Sequence, residues 1–156
     1  MLPEGLLDRA RTWAAHDPDP KTRAEVEALV AMPDPSKTDL ADRFTGSLEF
    51  GTAGLRGVIG GGPNRMNRAV VLRTTWGLAK FLKETVSDAT KQGVVIGFDG
   101  RRLSREMAED TACALAAAGI PAKLFTDYAP TPLTAFAVSR LGCAAGPSSC
   151  SLAPCA

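Results

Sequence analysis

Val94-Val95-Ile96-Gly97-Phe98 is the stretch that most narrows the fold. Five consecutive residues without a polar side chain offer no face to water, so a strand here must be covered on both sides. The run ends in Asp99-Gly100-Arg101-Arg102-Leu103-Ser104, and a helical pattern follows to about Ala118 with Met107, Ala108, Thr111, Ala112 and Leu115 inward. Ser104 is placed to cap that helix, with Glu106 in its positive first turn. Gly119-Ile120-Pro121 stops it, Ala122 to Phe125 reads as the next strand, and Thr131 as N-cap with Pro132 at the first helical position starts another helix through Leu141. Upstream, Val58-Ile59 reads as strand and Gly60 to Asn64 as turn. Asn67 caps a long helix to about Thr85, buried along Val71, Thr75, Leu78 and Leu82 and broadened by Trp76, Ala79 and Phe81. Gly77 weakens that helix by about 1 kcal/mol relative to Ala, which points to another backbone passing close by. Strand, helix, strand, helix, strand, helix is the order of an α/β fold. We expect a three-layer α/β/α domain with a mixed, mostly parallel sheet.

Ahead of this lies a helical arm. Leu6, Leu7, Ala10, Trp13 and Ala14 recur at helical spacing, Asp17-Pro18-Asp19-Pro20 interrupts, and a second helix runs from Thr22 to Ala31. After Pro33-Asp34-Pro35, Ser36 and Asp39 have the spacing of a capping box opening a short helix to Phe44. The arm is expected to pack through Trp13, Leu29 and Leu40, and it carries no recognisable chemistry. The resulting division is an arm over 1–45, a domain over 46–146 and a tail over 147–156.

Composition excludes several functions. A net charge of +1 gives no steering toward nucleic acid or acidic membranes. The N-terminus lacks the basic and apolar regions of a signal peptide, and no apolar run approaches the ~20 residues of a membrane span. A cytoplasmic location is the expectation. The four cysteines have no CxxC spacing and the chain has one histidine, His16, which argues against structural zinc and against Ser/His or Cys/His catalysis.

Phe50-Gly51-Thr52-Ala53-Gly54-Leu55-Arg56-Gly57 is the segment with chemistry. Its glycines leave backbone N–H groups uncovered, and among them stand the Thr52 hydroxyl and the Arg56 guanidinium. Amides, a hydroxyl and a cation that grips through two parallel hydrogen bonds suit a phosphate. The same residues also suit a plain loop between a helix and a strand, with Arg56 merely solvated. Asp99 and Arg101 lie beyond a parallel strand's C-terminal end, where α/β sheets place ligands; they could equally pair with each other in an ordinary loop.

These motifs in this order resemble the N-terminal domain of the α-D-phosphohexomutases, the phosphoglucomutase and phosphomannomutase family. The glycine segment is similar to that family's first active-site loop, especially in its phosphoglucomutase-type branch. Met66-Asn67, Val94 to Arg101 with Ser104, and Ala129-Pro130-Thr131-Pro132-Leu133 before a helix ending in Gly142-Cys143-Ala144-Ala145-Gly146 fit as well. The resemblance covers roughly Phe44 to Gly146. It implies intramolecular phosphoryl transfer between C1 and C6, or C5, of a sugar phosphate, through a phosphoserine and with Mg2+. By the same resemblance Thr52, Gly54 and Arg56 touch substrate phosphate, while Asp99 and Arg101 support the serine loop. The implied partner is a phosphorylated hexose or pentose, with no nucleic acid and no membrane.

In the family a strand and then Thr-Ala-Ser-His-Asn-Pro follow the position of Gly146. Here Pro147 to Ala156 contains two prolines and no β-branched residue, which disqualifies it as a central strand. We therefore expect a chain truncated or frame-shifted before the phosphoserine loop, with no catalytic residue and no metal ligand, inactive by itself. Its tail is expected to be disordered, and the uncovered sheet edge to invite non-specific self-association. The alternative is a non-catalytic module that binds a phosphosugar or phosphate. A nucleotide-binding domain is disfavoured: GxxxxGK[ST] is absent, and Gly60 to Arg65 fails GxGxxG at its last position.

Overall fold

The structure, a computed structural model, describes residues 3–51 and 54–147. The chain divides into two compact units, Met1–Glu49 with Arg56–Val70 and Phe50–Leu55 with Val71–Ala156.

The first unit begins with α1 (Leu6–His16) and α2 (Pro20–Val30). Asp19 caps α2, its carboxylate accepting from the Lys21 amide at 2.9 Å, and Pro20 occupies the first helical position. A 3-10 turn over Pro35–Lys37 precedes α3 (Leu40–Phe44). Leu6, Ala10, Ala14, Val26, Leu40 and Phe44 form the core, with Trp13 and Leu29 at its margin. Trp13 meets Phe44 edge-on with ring centroids 6.0 Å apart. The capping box does not form: the Ser36 hydroxyl donates to Asp34, and Asp39 turns to two arginines.

Those arginines bind the helices to the glycine turn. Arg43 Nε donates to Asp39 Oδ1 at 2.9 Å, and its Nη1 reaches Glu25 Oε1 at 2.9 Å and the Gly61 carbonyl at 3.1 Å. Arg65 Nη2 reaches Asp42 Oδ2 at 2.6 Å and Asp39 Oδ2 at 3.3 Å. The Gly61 N–H donates to Glu25 Oε2 at 2.8 Å. The run Gly60-Gly61-Gly62 is needed here, because a Cβ on Gly61 would stand 2.6 Å from Val26 Cγ2 and 2.7 Å from the Thr22 carbonyl. Asn67 closes the turn, its Nδ2 donating to the Gly60 and Gly62 carbonyls at 2.9 and 2.8 Å. Val58-Ile59 does not enter a sheet. Ile59 only bridges Met66, and Val58 is exposed.

The helix expected after Asn67 is α4 (Arg68–Thr85), and Asn67 Oδ1 caps it by accepting from the Val70 amide at 2.9 Å. Val71, Thr75, Leu78, Ala79 and Leu82 are buried as expected, but Trp76 and Phe81 are half exposed. They sit on the helix flank, outside the buried stripe. Gly77 has open space where a Cβ would go, with no backbone of the described residues outside its own helix within 4 Å.

In the second unit, β1 (Phe50–Gly51) and β2 (Gly54–Leu55) form an antiparallel hairpin. After α5 (Ala89–Gln92), β3 (Val94–Ile96) pairs in parallel with β4 (Ala122–Leu124) through the crossover helix α6 (Ser104–Ala117). α7 (Thr131–Leu141) follows. Val94, Ile96 and Phe98 belong to a core with Leu78, Leu82, Ala108 and Leu115, whereas Val95 packs with Ala137 and Cys143. The alternation of a strand thus divides β3 between two sets of helices. Gly97 lets α7 close on the strand, since any Cβ there would collide with Thr134 Oγ1. The sheet is smaller than expected, a parallel pair and a separate antiparallel hairpin. On its other edge, however, β3 is engaged by residues 144–147. Ala144 N–H donates to the Gly93 carbonyl, Val95 N–H to Ala145 and Gly97 N–H to Pro147, at 2.9, 3.0 and 3.2 Å. Pairing therefore reaches Pro147, one residue past the expected boundary, because the Pro147 carbonyl can accept even though its nitrogen cannot donate. The tail over 148–156 lies outside the described residues. Among the described residues, no helix is long and apolar enough to cross a membrane.

Asp39 makes the first unit acid-sensitive. Its hydrogen bond from Arg43 outweighs partial burial and, with Arg65, holds its carboxyl below the ordinary value of 3.8. The carboxylate stabilises the fold above that value, and the contribution is lost as pH falls through the lowered folded-state value. Asp39→Asn is expected to cost about 1 kcal/mol or less at neutral pH, and its melting curve should converge with that of the parent chain once pH falls below the lowered folded-state value.

Candidate functional site

The hairpin sets the geometry of the glycine segment. Phe50 pairs with Leu55 and Gly51 with Gly54, leaving the two-residue connection 52–53 between the strands. The stretch expected as a loop thus contains a hairpin whose inner pair is Gly51 and Gly54. Thr52 lies outside the described residues. Gly54 opens β2. Leu55 is buried, and Arg56 directly after it is exposed and makes no ion pair with any described residue. Gly57 has no room for a side chain, since a Cβ would stand 2.6 Å from Leu48 Cδ2.

Asp99 and Arg101 are brought together in the turn between β3 and α6. The Arg101 amide donates to Asp99 Oδ1 at 3.0 Å, and Arg101 Nε stands 3.4 Å from Asp99 Oδ2. The pairing that an ordinary loop would show is present. Ser104 opens α6 as its first residue, with Leu103 at the cap position. The Ser104 Oγ instead accepts from the Asp99 amide at 3.0 Å. Leu103 takes a left-handed backbone, φ 63°, which costs a residue with a Cβ roughly 1–2 kcal/mol. The Asp99–Ser104 and Asp99–Arg101 bonds hold the turn against that cost.

Beside this turn lies an open crevice of about 470 Å³, lined by Phe98, Asp99, Arg101, Arg102, Arg105 and Tyr128 among others. Arg105 stacks 5.6 Å from the Phe98 ring centroid, and Tyr128 meets Phe98 edge-on at 5.8 Å. We did not anticipate Arg105 or Tyr128, whose places follow from the tertiary approach of the segment after β4. Arg101, Arg102 and Arg105 are matched in number by Asp99, Glu106 and Asp127 in the same lining. The crevice is therefore formally neutral and no strong anion trap. His16 Nδ1 lies 2.8 Å from the Thr12 carbonyl on its own helix. Among the described residues no group of three or more His, Cys, Asp or Glu side chains could hold a metal ion.

The family model described as phosphoglucomutase/phosphomannomutase, alpha/beta/alpha domain I, matches residues 47–147. Over 140 residues the chain is 39% identical to the phosphopentomutase of Mus musculus and 36% identical to the glucose 1,6-bisphosphate synthase of Homo sapiens. Each match covers 86% of this chain and 22% of the relative. It is 40% identical over 141 residues to the probable phosphoribomutase of Schizosaccharomyces pombe, covering 90% of this chain and 24% of the relative. The chain thus spans about a quarter or less of the length of the curated relatives it matches. No solved structure matches it. For the turn itself, Ser104→Ala should leave the part-buried Asp99 amide without its acceptor, at a cost of about 1–3 kcal/mol. Hydrogen exchange should show faster exchange at Asp99 while the Val95 amide keeps its protection.

Proposed function

The chain belongs to the phosphoglucomutase/phosphomannomutase family, and from that premise we propose that it forms the phosphate-facing first domain of a phosphosugar mutase. Residues 46–146 are the three-layer α/β/α domain, and residues 1–45 are a helical arm. The division of β3 between two sets of helices supports that layering. Phosphoryl transfer needs an in-line nucleophile, a metal and concentrated positive charge. This chain supplies part of the charge. Arg56, Thr52 and Gly54 are the phosphate-binding residues, and the Asp99–Arg101 turn braces a neighbouring loop.

The observation that carries this reading is the state of Arg56. Arg43, Arg65 and Arg101 are each committed to carboxylates. Arg56 follows the glycine hairpin exposed and without an ion pair among the described residues, so its two-pronged donor face is open to a ligand. The substrate is a pentose or hexose phosphate, a reading supported by the names of the relatives. Transfer between C1 and C5, or C6, requires the phosphoserine loop, Thr-Ala-Ser-His-Asn-Pro in the family, and that motif does not occur in the sequence; we infer that the chain is inactive by itself.

Purified chain free of host mutase should show no turnover of glucose 1-phosphate or ribose 1-phosphate with magnesium and a sugar bisphosphate; turnover would refute the inactivity. Inorganic phosphate should bind no tighter than roughly millimolar, about 4 kcal/mol. It should shift the Gly54 and Arg56 amide resonances, and the shifts should vanish in Arg56→Ala. Shifts that persist in that variant would remove Arg56 from the phosphate site.

A further inference from the structure

We propose that Cys143 and Lys123 form a peroxide-sensitive pair that closes into a sulfur–nitrogen cross-link. Lys123 lies on β4 opposite Val95 of β3, and Cys143 directly precedes the segment pairing with the other edge of β3. The Lys123 side chain crosses β3. Its Nζ donates to the Gln92 carbonyl at 2.8 Å and to Cys143 Sγ at 3.1 Å. The Gln92 bond holds the nitrogen against the sulfur. Otherwise the thiol faces Val95, Ala137 and Val138 and a distant Leu141 carbonyl at 3.9 Å. Cys143 and Cys113 are both free thiols, Cys143 buried at 9% exposure and Cys113 exposed on α6.

Thiolate is the form that attacks peroxide. Hydrogen peroxide takes two electrons from the sulfur. One oxygen becomes the S–OH of a sulfenic acid and the other leaves as water. A sulfenic acid condenses with a nearby nitrogen or thiol. Here Lys123, after losing its ammonium proton to solvent, attacks the sulfur. An S–N bond forms, the S–O bond breaks, and the hydroxyl leaves as a second water with a proton from nitrogen. The net exchange is one thiol, one amine and one peroxide for one S–N bond and two waters. The product ties β4 to residues 144–147 across β3, and reduction by excess thiol reverses it.

The test treats the folded chain with hydrogen peroxide and maps it by mass spectrometry. A joined pair of peptides carrying Lys123 and Cys143, two hydrogens lighter than their sum and released by dithiothreitol, is the expected result. The melting temperature should rise with the cross-link and fall back on reduction. Lys123→Arg keeps a cation but not a condensing amine, and should allow Cys143 oxidation without the cross-link. Lys123→Gln should slow that oxidation as well. Cys143 reacting no faster than Cys113, or ending only as sulfinic acid or a disulfide with another cysteine, overturns the proposal.

Discussion

The second unit depends on the complete enclosure of β3. Val94, Val95 and Ile96 are each at most 1% exposed, and burying each contributes about 1.5–3 kcal/mol. Such burial requires that every backbone group on the strand find a partner, because an unpaired amide in that setting costs about as much as the side chain returns. β4 satisfies one edge and residues 144–147 the other. The two faces then need helices, which is why α4 and α6 gather on Val94 and Ile96 while α7 lies over Val95. Gly97 is the compromise that lets α7 come close enough.

Where β3 stops being enclosed, chemistry becomes available. The chain past Phe98 turns out toward solvent, and the Asp99 turn forms in that opening. Its charges are internally balanced, so a ligand would be held there by contact rather than drawn from a distance, with little dependence on salt. Arg56 differs from the arginines of the first unit in the same terms. Arg43 and Arg65 side chains are only 11% and 9% exposed, and a charge so enclosed is stable only with its carboxylates in place. Their role is to fix the glycine turn against α2 and α3. An exposed guanidinium has no such obligation.

Much of this was legible in the residues. The apolar run, the cap at Asn67 and the Gly60 to Asn64 turn all follow from local rules that act within a few residues, whereas α7 opens at Thr131 with Pro130 at its cap, one residue earlier than Thr131 as N-cap would give. The misreadings share another origin. Trp76 and Phe81 are apolar, but which flank of α4 is covered is decided by what packs on it. Ser104 and Asp39 each have a side chain able to cap a helix, and each found a stronger partner, in the Asp99 amide and in two arginines. Gly77 showed that a helical glycine need not mark a close approach. The Arg43 network and the Lys123–Cys143 contact join residues well apart in sequence, which no periodicity reveals. For the glycine segment, family resemblance carried more than local pattern did.

The first unit is assembled from two stretches of chain, Met1–Glu49 and Arg56–Val70, separated by the hairpin. Glu25, Arg43 and the Asp42 carbonyl all find partners in the later stretch, at Gly61 and Asn64. During synthesis at about 5–20 residues per second, the three arm helices therefore emerge with a charge cluster that stays incomplete until the glycine turn has left the ribosome. The arm is made before the glycine turn without being able to finish folding before it.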